Sequence, residues 1–183
     1  MEHLDPQSRC FFTQQLFLLG TYNADKSANF APISWISYTH GQPSCLVISI
    51  AGIKQTKENI KRSGLLSATI VTPDLLSFVE RFNAATNLTF PKNIPAIQIE
   101  QGTVVDAPLI AGAAFCYECQ VLHTVTIGDC DTFFAQIMSI NVSKVVKELE
   151  YLDLRLINPV VYSPMHYFSI GNHLGKIGDF SRD

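Results

Sequence analysis

No run in the chain approaches the ~18 consecutive apolar residues that cross a bilayer, so no membrane-spanning helix is expected. The opening MEHLDPQSRC lacks the basic-then-apolar order of a secretory leader, which makes the cytoplasm the expected compartment. Charge is scarce: only 16% of residues are Asp, Glu, Lys or Arg, the net charge is −3, and the 13 basic residues are scattered. Without a basic run nothing can neutralise a line of phosphates, and nucleic acid is not an expected partner. No GxGxxG follows a strand, which disfavours a dinucleotide fold, and no GxSxG offers a hydrolase elbow. Glu118 and Asp129 make no carboxylate pair at catalytic spacing. No side chain is therefore expected to act as catalytic acid, base or nucleophile.

Five cysteines, an odd number in a chain with no leader, fit reduced thiols rather than a disulfide framework. Cys116-Tyr117-Glu118-Cys119 has CxxC spacing, yet it falls in an expected strand, where residues three apart face opposite ways. A redox pair needs a helix N-terminus, and a zinc site needs a second ligand pair where only His123 and Cys130 lie near. No metal is expected.

What the chain does have is apolar substance. Its 183 residues are 47% hydrophobic, enough for a single domain over 1–183, with some surplus left for a subunit interface. LFLLGTYN (16–23), NFAPISWISYTH (29–40) and SCLVISIAG (44–52) read as three strands separated by turns, pointing to an antiparallel meander. Residues 54–64 read as a helix with Thr56 as cap and Gly64 as left-handed stop. Leu65–Val71 returns to strand, and Thr72-Pro73-Asp74 opens a helix with Leu75, Leu76, Val79 and Phe82 as its stripe. Between Asn83 and Gln101 a loop is expected, with one strand at AIQIE (96–100). Strands are expected at 115–127 and 132–142 around the turn 128–131, a short helix at 145–149 and a last strand at 166–170. Hairpins with a few helices predict a mainly β protein, an antiparallel barrel or sandwich with peripheral helices.

NFAPISW (29–35) contains the only tryptophan, and Pro32 interrupts a strand. Pro32 cannot donate to a ladder, so the strand must be at an edge, bulged or bent, leaving nearby backbone groups for another partner. Both faces mix apolar and hydrogen-bonding residues, which fits either a ligand wall or an edge strand with Trp35 packed in the core. Ser49-Ile50-Ala51-Gly52-Ile53-Lys54-Gln55-Thr56 leads from a strand end into a helix start. Free N–H groups there, with Ser49, Lys54 and Thr56, would suit a phosphate; a capped helix beside a solvated lysine is the alternative. His166 and Tyr167 in the last strand are candidate substrate residues.

The succession N-x-x-P-x-S-W, V-I-S-I, K-x-T-x-x-N-I and S-G, at 29–35, 47–50, 54–60 and 63–64, resembles the flavin reductase-like family, including flavoredoxins. Val105-Asp106-Ala107-Pro108-Leu109-Ile110, followed by 115–121, resembles a later segment of that family. The resemblance implies an FMN-binding split β-barrel, usually homodimeric. It implies FMN along Asn29, Pro32, Ile33, Ser34 and Trp35, with Ser49, Lys54 and Thr56 at its phosphate. It further implies hydride transfer from NADH or NADPH, with electrons passed to free flavin, an iron centre or a protein acceptor, or else a carrier without nicotinamide activity. A cap over the flavin is expected around 87–97, where the resemblance is thin.

Overall fold

The computed structural model describes residues 13–84, 97–147 and 153–176. Strands β1 (Gln14–Gln15), β2 (Phe17–Tyr22), β3 (Ala28–Ile33), β4 (Ile36–Tyr38) and β5 (Cys45–Ala51) come first. Helix α1 (Gln55–Ser63), β6 (Leu65–Ile70), a 3-10 turn at Pro73–Leu75 and α2 (Leu76–Ala84) follow. Then come β7 (Ile99–Gln101), β8 (Pro108–Ile110), and the long hairpin of β9 (Phe115–Ile127) and β10 (Cys130–Val142). Short α3 (Lys144–Lys147), α4 (Leu154–Ile157), β11 (Val161–Ser163) and β12 (His166–Phe168) complete the order.

Seven strands form one antiparallel sheet in the order β3-β2-β6-β9-β10-β5-β4. Laid flat, seven strands about 4.8 Å apart would hold the outer two roughly 29 Å from each other. Yet the outer two are β3 and β4, and only Ser34 and Trp35 lie between them, a link that reaches at most about 11 Å. The sheet must curl until its two edges approach. The Ser49 N–H, bonded to the Trp35 carbonyl at 2.9 Å, holds the link against β5. The result is a split antiparallel barrel with peripheral helices, the expected class.

The expected meander does not form. β2–β3 and β4–β5 are both paired neighbours, but β3 and β4 sit on opposite edges, so the run 29–40 is two strands rather than one. Pro32 lies on an edge strand opposite Leu18, as its missing donor requires.

β2 is buried on both faces, which explains its unbroken apolar run. Phe17 and Leu19 join Leu46, Ile48, Leu66 and Phe133 in one core, while Leu16, just before the strand, and Leu18 join Phe30, Val71, Phe78 and Val79 in another. Fully burying such a side chain stabilises the fold by about 1.5–3 kcal/mol. Helix α1 sends Ile60 into the first core, and α2 lays Leu76, Val79 and Phe82 of the expected stripe, with Phe78, on the second, where Leu75 joins from the 3-10 turn.

At α1 the cap differs from expectation. Lys54 takes the N-cap position with φ −137° and ψ 133°, and no side chain bonds back to the first turn, so Thr56 is not the cap. Gly64, at φ 70°, is the left-handed stop, its N–H 2.7 Å from the Ile60 carbonyl.

The remaining differences are at short elements. β7 begins three residues later than the expected strand at 96–100 and pairs with β8, and Ala96 lies outside the described residues. β10 starts at Cys130, opposite Ile127, so the turn is tighter than 128–131. The helix expected at 145–149 starts at Lys144, with 148 and 149 outside the described residues. β12 ends at Phe168 and joins β11 and β1 in a small sheet. The expected cap at 87–97 lies, apart from Ile97, outside the described residues.

Candidate functional site

A cleft of about 550 Å³ opens beside β3, the end of β5 and the start of α1. Its apolar wall is made of Phe30, Pro32, Ile33 and Trp35, with Phe82 reaching in from α2. The Phe30 and Phe82 rings lie 5.9 Å apart, centroid to centroid. Trp35 is 49% exposed, so it is not the core-packed aromatic of the alternative reading. It stands where the chain crosses from one edge of the barrel to the other.

The facing side is polar. Ser49, from β5, shares a 2.8 Å hydrogen bond with Thr132, and Lys54, Gln55 and Thr56 carry the chain into α1. The first N–H groups of a helix have no intrahelical acceptor, and here no side chain among the described residues caps them. The Lys54 side chain has no ion-pair or hydrogen-bond partner among the described residues. The next two lysines of the helix are tied elsewhere. Lys57 Nζ donates to the Asp129 carbonyl at 2.8 Å and lies 3.6 Å from Asp131, and Lys61 Nζ is 3.2 Å from Asp131. The Thr126 hydroxyl and then Lys61 hold the Asp131 carboxyl below its usual range. Positive potential at the start of α1 thus comes from Lys54 and from the helix itself.

The family described as flavin reductase like domain matches residues 8–171. The chain belongs to that family. No curated protein matches it in sequence. Among solved structures, this flavin reductase like chain is similar to the flavoredoxin of Desulfovibrio vulgaris (Miyazaki F), at 19% identity over 100% of both chains with a TM-score of 0.84. It is similar to the styrene monooxygenase flavin reductase of Pseudomonas putida S12, at 14% identity over 89% of this chain and 94% of that one, with a TM-score of 0.70. An FMN-binding protein from Thermus thermophilus, solved with bound p-hydroxybenzaldehyde, matches at 15% identity over 96% and 97%, with a TM-score of 0.75. At these identities the likeness speaks for the fold.

The fold of this flavin reductase like domain brings seven of the candidate cofactor residues, Asn29, Pro32, Ile33, Trp35, Ser49, Lys54 and Thr56, into one cleft. Ser34 faces an adjoining groove of about 380 Å³ that shares Trp35 and Ser49 with the cleft. Asn29 lines the cleft but turns its amide inward, donating to Thr56 Oγ1 at 2.8 Å and to Thr21 Oγ1 at 3.1 Å. His166 and Tyr167 do not line the cleft: His166 is exposed on β12, and the Tyr167 hydroxyl donates to Glu80 of α2. Tyr167 packs on the second core, beside the helix that carries Phe82. Phe30, Gln55 and Phe82 line the cleft without any sequence signal marking them as site residues. Phe82 looked like the last residue of a core stripe, and only the curl of the sheet brings the far end of α2 over β3.

A second polar centre lies on β9. Glu118 is fully buried and accepts from Val104 N–H, Val105 N–H and Asn141 Nδ2, each at 2.8 Å, and from the Thr103 hydroxyl at 3.1 Å. Burial pushes the carboxyl up, but the donors, led by Asn141 and the two backbone N–H groups, outweigh it and hold it below its usual value. Gly102 closes this loop: a Cβ there would lie 2.3 Å from the Val105 carbonyl and 2.6 Å from Glu118 Oε2. The flanking Cys116 and Cys119 are buried free thiols. Burial pushes the Cys116 thiol up to about 11 and raises Cys119 as well.

Proposed function

We propose that the cleft binds FMN, with Asn29, Pro32, Ile33, Ser34 and Trp35 along the ring and Ser49, Lys54 and Thr56 at the phosphate. One observation carries this: an apolar wall shares a single cleft with an uncapped helix start and a lysine that has no partner among the described residues. An uncapped start and a lysine favour an anion, and the wall favours a flat apolar body. The cleft volume falls in the range of about 300–1,000 Å³ usual for small-molecule sites.

A bound flavin would supply hydride and single-electron chemistry. The chain's part is to bind it, orient it and shield its ring. The activity we propose is transfer of hydride from NADH or NADPH to that flavin, with electrons passed on to free flavin or a protein acceptor. Such a transfer needs ring alignment rather than a side-chain acid or base, and the described lining of the cleft contains no His, Asp or Glu. A homodimer is part of the proposal, supported by exposed Leu122 and Ile127 on β9 and Met138 and Ile140 on β10, and the cytoplasm is its proposed compartment.

The sole tryptophan is the reporter. Titration with FMN is expected to quench Trp35 emission, and anaerobic NADH or NADPH is then expected to bleach the flavin colour. No quenching and no heat of mixing would reject the cleft. Binding without bleaching by either nucleotide would leave an FMN electron carrier in place of a reductase. Light scattering of the eluted protein tests the dimer.

A further inference from the structure

The start of α1 is braced from behind by groups that the flavin reading leaves unused. Asn59 is fully buried on α1; its Nδ2 donates to Thr21 Oγ1 at 3.1 Å and to Asn23 Oδ1 at 2.9 Å, and its Oδ1 accepts from Gln55 Nε2 at 3.0 Å. Thr21, fully buried on β2, also accepts from Asn29 Nδ2 at 3.1 Å. The other Asn29 proton goes to Thr56 Oγ1 at 2.8 Å. A continuous strut thus runs from the inner face of α1, through β2 and β3, and back to the first turn of α1.

Burying this much polarity costs stability unless every group is bonded, and an apolar plug would have packed these positions more simply. The strut achieves something a plug cannot. Both protons of the Asn29 amide are committed, so Thr56 Oγ1 accepts a bond from behind, and no acceptor for its own proton is present among the described residues. Thr56 lines the cleft, where a ligand would be the acceptor for that proton.

We propose that Thr21 and Asn59 are positioning residues for a phosphate monoester. They set the Asn29 amide, and through it the Thr56 hydroxyl, as a donor before any ligand arrives. This rests on the flavin reading above and deepens it: the strut makes the cleft prefer FMN over riboflavin.

The test compares dissociation constants for FMN and riboflavin, read by Trp35 quenching, in the full chain and in Thr21→Val, Thr21→Ser and Asn23→Ala. Thr21→Val keeps shape and removes the hydroxyl; it is expected to weaken FMN about tenfold and riboflavin less than about twofold. Thr21→Ser is expected to restore the preference. Should Thr21→Val fail to fold by circular dichroism, Asn23→Ala, at the outer end of the strut, decides the matter with an expected loss of about threefold for FMN alone. Equal losses for both ligands, or unchanged FMN affinity, would overturn the proposal. The two failures are distinguishable. An unaltered chain that binds neither flavin rejects the flavin reading, whereas one whose FMN preference is lost in Lys54→Ala but kept in Thr21→Val rejects only the strut.

Discussion

Glu118 and the start of α1 are both concentrations of polarity in an apolar barrel, and they are finished in opposite ways. Around Glu118 the account is closed: donors from Thr103, Val104, Val105 and Asn141 meet one carboxylate, and Gly102 allows the backbone to shut over it. At α1 it is open, with an uncapped first turn and a lysine that has no partner among the described residues, all facing a cleft. A polar group satisfied from within the chain holds the fold together. One that can be satisfied only from outside marks a place for a ligand.

Four experiments press on this contrast. Glu118→Ala has the largest expected effect, a loss of about 3 kcal/mol in urea unfolding, because four donors, the buried Val105 N–H among them, lose their acceptor and a fully buried side chain is emptied. If the two centres are independent, FMN affinity in that variant stays unchanged. Lys54→Ala is expected to do the reverse: FMN binding weakens by roughly 2 kcal/mol in a calorimetric titration while the urea midpoint holds. A midpoint that moved as much as the affinity would erase the distinction between them.

Acid provides the third. The folded Glu118 carboxyl lies below its ordinary value of 4.5, so its contribution is fully present above that value and is lost as pH falls through the folded one. The urea midpoint should therefore drop as the carboxylate range is entered, and Glu118→Gln should flatten that drop. The smallest effect is an absence: Cys116 and Cys119, buried with raised thiols, should not react with a thiol reagent at neutral pH until denaturant is added. Labelling of either in the folded protein would mean that the closed half of the barrel opens.

The parts legible in the sequence were those whose signal is local. The run at 16–23 reads as a strand, its apolar residues unbroken because both faces of β2 are covered, and Gly64 reads as a helix stop because a left-handed φ favours glycine. Pro32 announced an edge through its missing donor. The break at Ser34 and Trp35 was hidden, since it follows from the curl of strands distant in sequence, and the same curl brings Phe82 to the cleft. Strands as short as β1 and β11 carry too few residues to show a period. Asn59 could have been found: it stands three residues after Thr56 in K-x-T-x-x-N-I, on the same helical face, where a buried amide asks for partners. For Trp35 the strand pattern alone leaves core and cleft open, and only the family resemblance sets it along the cleft.

The two-residue crossing between β3 and β4 also limits how the gene can vary. One added residue there would rotate every side chain of β4 to the opposite face, turning Ile36 outward and Ser37 toward the interior. Insertions of even length keep the pleat in phase but loosen the crossing. Length variation among descendants of this chain should therefore spare that spot and collect in the turns that join strands already lying side by side.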